Sequence, residues 1–93
     1  ASETFNIITV GRISPSKDYE SMIKAAAELK GQASVHIILQ IIGNADLPLE
    51  QSYLNSLKQI VEKLSLNSQI VFIGPIPHRQ ILSYLQSADL FIN

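Results

Sequence analysis

Three short apolar runs, each closed by a glycine and each followed by a stretch of different periodicity, constrain this chain more than any other feature. They are "FNIITVG" (5–11), "VHIILQIIG" (35–43) and "QIVFIG" (69–74). All three are rich in Ile and Val and nearly continuous in hydrophobicity, the pattern of strands covered on both faces. Between them the spacing becomes helical. Tyr19, Met22, Ile23, Ala26 and Leu29 share one face, with Lys24, Glu28 and Lys30 off it and Gly31 as a natural stop. Pro48 is placed to open a second helix, whose stripe is Tyr53, Leu54, Leu57, Ile60, Val61 and Leu64. After the turn "PIPH", residues Ile81, Leu82, Leu85 and Ala88 form a third helical face with Tyr84 beside it, and "DLFIN" (89–93) begins a fourth strand. The expected class is α/β: a parallel sheet with helical crossovers packed on both faces.

The totals narrow the partners. The 93 residues make one domain or less, and at 46% hydrophobic and 16% charged they should fold. A net charge of −1 argues against a nucleic-acid or anionic-membrane partner for the domain as a whole. The absence of Cys excludes disulfides, thiol chemistry and Cys-ligated metals, and fits a reducing compartment. No apolar run approaches the ~18 residues of a membrane span. The chain stops in or just after a strand, so we expect a piece of something longer.

In an open parallel sheet, ligands bind beyond the carboxyl ends of the strands. Three loops leave those ends: 11–18, 43–49 and 74–78. The first holds Gly11, Arg12, Ser14, Ser16 and Lys17, two cations five residues apart with no acid between them. A glycine that permits close approach, a helix start and two cations suit a phosphate or diphosphate. The plainer alternative is a solvated basic loop, with Ser14 and Ser16 as turn and cap residues. Neither G-x-G-x-x-G nor G-x-x-x-x-G-K-[ST] occurs, since residues 11–16 read "GRISPS". His36 and His78 lack metal spacing, so no metal is expected. His36 reads as structural, and His78 as a capping, solvent-facing or ligand-edge residue. No catalytic set of Ser, His and Asp or paired carboxylates is visible. Asp89 reads as a structural turn residue, and Glu20, Glu28, Glu50 and Glu62 as solvated helix charges.

The stretches "ITVGRISPSKDYESMIKAAAEL", "LQIIGNA" and "YLNSLKQIVEKLSLNSQIVFIGPIPHRQILSYLQSADLFIN" resemble, in order and spacing, the C-terminal domain of GT-B-fold glycosyltransferases of the group-1 family. The pattern is V-G-R-x-x-x-x-K-[GND], then G-x-G, then L-x-x-x-V-x-F-x-G-x-[VI], then A-D-[VL]-[FV]. The resemblance implies a Rossmann-like βαβαβαβ sheet of order 3-2-1-4. It implies that residues 1–93 are part of the nucleotide-sugar-binding domain of a retaining glycosyltransferase. Gly11, Arg12 and Lys17 would bind the donor diphosphate, and the backbone around Ile73, Gly74 and Ile76 would border the nucleobase. Ser16, Asn44 and His78 are weaker candidates.

No catalytic residue is assigned. The family's two glutamates would lie beyond Asn93, and the acceptor-binding N-terminal Rossmann-like domain is missing, so the 93 residues alone are expected to be inactive. No cofactor is implied beyond the nucleoside-diphosphate sugar as donor substrate. The expected location is cytoplasmic, with the parent either free or peripheral at the cytoplasmic face of the membrane. The exposed fourth strand should invite self-association. Two departures stand out: Ala45 replaces the second glycine of G-x-G, and Asp18 stands where Gly is frequent. The alternatives are a non-catalytic α/β interaction module and a sugar-nucleotide epimerase of GT-B shape.

Overall fold

The computed structural model describes residues 4–30 and 36–92. Four strands, β1 (Thr4–Val10), β2 (His36–Ile42), β3 (Ile70–Gly74) and β4 (Leu90–Ile92), alternate with three helices, α1 (Tyr19–Leu29), α2 (Pro48–Lys63) and α3 (His78–Ser87). A 3-10 turn, Pro15–Lys17, precedes α1. All strand pairs are parallel and the order is β3-β2-β1-β4, as expected. The element boundaries lie within one or two residues of those read from the sequence. Gly31, Val35 and Asn93 fall outside the described residues.

The period-two alternation along the strands sorts their side chains. Ile7, Leu39, Ile41, Ile70 and Phe72 point to one face and meet Tyr19, Ile23 and Ala26 of α1 and Leu57 and Val61 of α2. Ile13 and Leu66, from the connecting segments, complete this core at 1% and 0% exposure. Burying each such aliphatic side chain stabilises the fold by about 1.5–3 kcal/mol. Ile8, Val10 and Ile42 point the other way. Ile8 and Ile42 are nevertheless fully covered, because α3 crosses this face beside β1. Two leftward crossovers followed by a rightward one put α1 and α2 on one side and α3 on the other, as right-handed connections require.

The edges of the sheet are less protected. Leu90 and Phe91 of β4 are 46% and 45% exposed, and Leu82 on the outer side of α3 is 60% exposed. Asp89 fastens the short β4 to the start of β1. Its carboxylate accepts from the Asn6 N–H at 2.7 Å, while its own N–H donates to the Asn6 carbonyl at 2.8 Å. The structural role read for Asp89 is the one it has. Among the described residues no helix is long and apolar enough to cross a membrane.

Candidate functional site

Three loops meet at the carboxyl edge of the sheet because their backbones continue the ladder past the strand ends. Gly11 N–H donates to Ile42 O at 2.9 Å, Ile13 N–H to Asn44 O at 3.0 Å, and Gly43 N–H to Gly74 O at 3.0 Å. The last of these depends on an irregularity in β3. Ile41 pairs with Phe72 but Ile42 pairs with Gly74, so Ile73 is the extra residue of a bulge. Gly43 is required by the close approach: a Cβ there would lie 1.7 Å from the Gly11 carbonyl oxygen. The glycines that end the first two strands thus allow two loops to touch.

Arg12 leaves this edge with a partner that the sequence does not announce. Its Nε donates to Glu50 Oε2 at 2.7 Å and its Nη2 to Glu50 Oε1 at 3.3 Å. Glu50 is not the solvated helix charge that its place in the sequence suggests: it is 5% exposed. It sits in the first turn of α2, where Oε1 also accepts from the Asp46 and Leu47 N–H groups at 3.1 and 3.2 Å. This is the returning half of a capping box, in which a third-position Glu satisfies N–H groups the helix start leaves open. The hydrogen bonds from Arg12, and next those from Leu47, hold the Glu50 carboxyl below the ordinary carboxylate range. Desolvation opposes them without reversing the direction. The same pair, reinforced by the nearby Asp46 charge, raises the already high pKa of Arg12. The expectation of two cations without an acid holds along the chain but not in space.

Lys17 differs. Its Nζ lies above Gly11, 2.6 Å from where a Cβ on that residue would stand. Among the described residues it makes no ion pair or side-chain hydrogen bond. The turn that places it is closed by Lys17 N–H donating to Ser14 O at 3.1 Å. Asp18 then takes a left-handed conformation, φ 49°, which Asp tolerates better than most residues. From there its carboxylate accepts from the Ser21 N–H at 3.4 Å and the Ser21 hydroxyl at 2.8 Å, capping α1. Ser14 opens the 3-10 turn without a side-chain cap, and the side-chain cap of α1 comes from Asp18. The two serine hydroxyls, 2.9 Å apart, bond each other on the surface. The starts of α1 and α2 therefore already carry carboxylates of their own, and an anion at this edge would rely on the side-chain cations. The buried Tyr19 braces the loop by donating from its hydroxyl to Arg12 O at 3.1 Å, and burial raises the pKa of its phenol.

An open cleft of about 300 Å³ runs along this edge, lined by Val10, Gly11, Arg12, Ile42, Gly43, Asn44, Pro75, Ile76 and Ile81. Of the candidate residues it gathers Gly11, Arg12, Asn44 and Ile76. Gly74, at φ 86°, adjoins it through its bond to Gly43, with open space where a side chain would be. Ile73 lies half-buried in the bulge and does not line the cleft. Ser16 and His78 are exposed and stand apart from the lining, His78 as the first residue of α3. The Asn44 side-chain amide donates to the Asp46 carboxylate. Ala45 is half-buried and packs against the core, so the methyl that replaces a glycine hydrogen is not among the groups lining the cleft. The lining contains no carboxylate. Among the described residues no group of three or more His, Asp or Glu is placed to hold a metal ion.

The comparisons with known proteins agree with the fold and extend it. A family model described as glycosyl transferases group 1 matches residues 1–93. Mannosylfructose-phosphate synthase of Agrobacterium fabrum (strain C58 / ATCC 33970) is 27% identical over 90 residues, which are 92% of this chain and 19% of that protein. The chain thus spans about a fifth of the length of the curated relative it matches. A four-stranded parallel sheet of order 3-2-1-4, with its loops gathered at the carboxyl edge and a family match over every residue, has one consequence: the chain belongs to the group 1 glycosyl transferases.

Proposed function

We propose that this chain is the nucleotide-sugar donor-binding portion of a retaining glycosyltransferase, and that the 93 residues bind donor but do not transfer sugar. Gly11, Arg12 and Lys17 hold the diphosphate, and the backbone at Ile73, Gly74 and Ile76 borders the nucleobase. Asn44, in the lining of the cleft, is a weaker candidate, while Ser16 and His78 are peripheral. The observation that carries the reading is the convergence of two cations on the Gly11 turn, Lys17 from above it and Arg12 along the cleft. In the whole enzyme these charges stabilise the leaving nucleoside diphosphate, whose negative charge grows in the transition state. Residues of a further domain would hold the acceptor, and the relative named mannosylfructose-phosphate synthase illustrates the class of transfer proposed.

Titration calorimetry with UDP, GDP and ADP tests this. Weak binding is expected, lost on Lys17→Ala and weakened by salt. Equal affinity for a nucleoside without phosphates would overturn it. If no nucleotide binds, and a partner protein instead shifts resonances on the outer faces of α3 and β4, the chain is an interaction module.

A further inference from the structure

We propose that Glu50 is the positioning residue of the anion site: it grips Arg12 by one edge of the guanidinium and so aims the other edge at the diphosphate. This rests on the reading of the carboxyl edge as a diphosphate site. A guanidinium presents its N–H donors in a planar fork with two usable edges. Glu50 occupies the Nε–Nη2 edge. No described residue accepts from Nη1, so the Nη1–Nη2 end is left for a ligand.

The two halves of the pair differ in freedom. The Glu50 side chain is 7% exposed and the Arg12 side chain 52%. Glu50 also cannot leave readily, because the same oxygen that meets Nη2 closes the first turn of α2 through Asp46 and Leu47. A carboxylate tied down in this way is a fixed post rather than a counter-ion that an incoming anion displaces. Without it, a long flexible side chain would lose rotamer freedom on each binding event. With it, part of that entropy is lost at folding, and the fork is set before ligand arrives. The Tyr19 hydroxyl, donating to the Arg12 carbonyl, fixes the backbone end of the same residue.

Three roles predict different outcomes for binding of inorganic pyrophosphate and UDP to the 93-residue chain. Positioning predicts that Glu50→Gln weakens binding by about fivefold to tenfold, and by less than about twofold when Arg12 is already Ala. Glu50→Asp, which keeps the charge but shortens the reach, should fall between. A helix-start role alone predicts equal loss in both backgrounds, and a neutralising counter-ion predicts tighter binding for Glu50→Gln; either result overturns the proposal while leaving the diphosphate site standing. If the wild-type chain shows no pyrophosphate-dependent change at residues 11–18, the site and the proposal fall together. Should Glu50→Gln fail to fold, the wild-type chain still decides. On adding pyrophosphate the Arg12 Nη resonances should shift while Nε–Hε, held by Glu50, stays within a small fraction of that shift. Movement of Nε–Hε as large as that of Nη would mean that the carboxylate has been displaced, and the proposal fails.

Discussion

Replacing Gly43 by Ala should destabilise the fold far more than replacing Gly11 by Ala, although the two glycines look equivalent in the sequence. Their φ angles are 158° and 154°, so the backbone cost of a side chain, about 1–3 kcal/mol, is common to both. What the added methyl meets is different. At Gly11 it meets the Lys17 ammonium, the far end of a flexible side chain that can swing away. At Gly43 it meets the Gly11 carbonyl at 1.7 Å, and relief to the closest tolerated contact, 3.0 Å, requires the two loops to part by about 1.3 Å. A displacement of that size breaks the Gly11–Ile42 and Ile13–Asn44 backbone bonds, which join the two loops. At about 1 kcal/mol each, Gly43→Ala should cost about 2 kcal/mol more than Gly11→Ala. For a domain of this size that is a Tm gap of about 8–16 °C. Thermal unfolding followed by far-UV circular dichroism measures it. Melting of the two variants within about 3 °C of each other would mean that the loops do not touch as described. Gly11→Ala, in turn, should retain most of its stability yet lose nucleotide affinity, because the methyl takes the place where Lys17 Nζ rests.

Four further outcomes follow from the same geometry. Lys17→Ala should abolish the weak nucleotide binding seen by calorimetry while changing stability by less than about 0.5 kcal/mol, since the side chain is exposed and has no partner among the described residues. Tyr19→Phe should cost about 1 kcal/mol in urea unfolding by removing the bond to the Arg12 carbonyl. The Glu50 carboxyl is held below its unfolded value by Arg12 and Leu47, so the unfolded chain binds the extra proton first. The stabilisation is therefore present above the ordinary carboxylate pKa of 4.5 and is lost as pH falls through the lower folded value. The Tm difference between wild type and Glu50→Gln should accordingly shrink on acidification below about pH 4.5, and a pH-independent difference would contradict the pairing. Ala45→Gly should cost about 1 kcal/mol in stability without improving nucleotide affinity, because the methyl packs against the core.

The strands and helices were readable because each depends on local periodicity, whereas the sheet order followed from the family resemblance. Ile-rich runs ended by Gly11, Gly43 and Gly74, helical stripes from Tyr19 and from Pro48, and the handedness of crossovers leave few arrangements open. Arg12 and Lys17 were readable as a pair because they share one loop. The Arg12–Glu50 bond was not, since it spans 38 positions and depends on how α2 lies against the first loop. A signal for Glu50 did exist. Pro48 at the first helical position and an acid two residues later mark a capping pattern, and an acid so used is turned inward rather than solvated. Asp18 carried a similar signal, standing where glycine is common in a position that needs a left-handed backbone. The bulge at Ile73 could not be read, because it is set by register between β2 and β3 rather than by either strand alone.

The most direct test of the diphosphate site is the structure of the chain with UDP or GDP bound. Among the described residues, two open grooves have room for a nucleotide: the cleft at the carboxyl edge, and a larger one of about 420 Å³ between α2 and β3 lined by Lys58, Glu62, Asn67 and Phe72. The prediction is a diphosphate within hydrogen-bond distance of Lys17 Nζ and the Nη end of Arg12, with the base against residues 73–76. A nucleotide seated instead over Lys58 and Phe72, with Arg12 and Lys17 untouched, would contradict it.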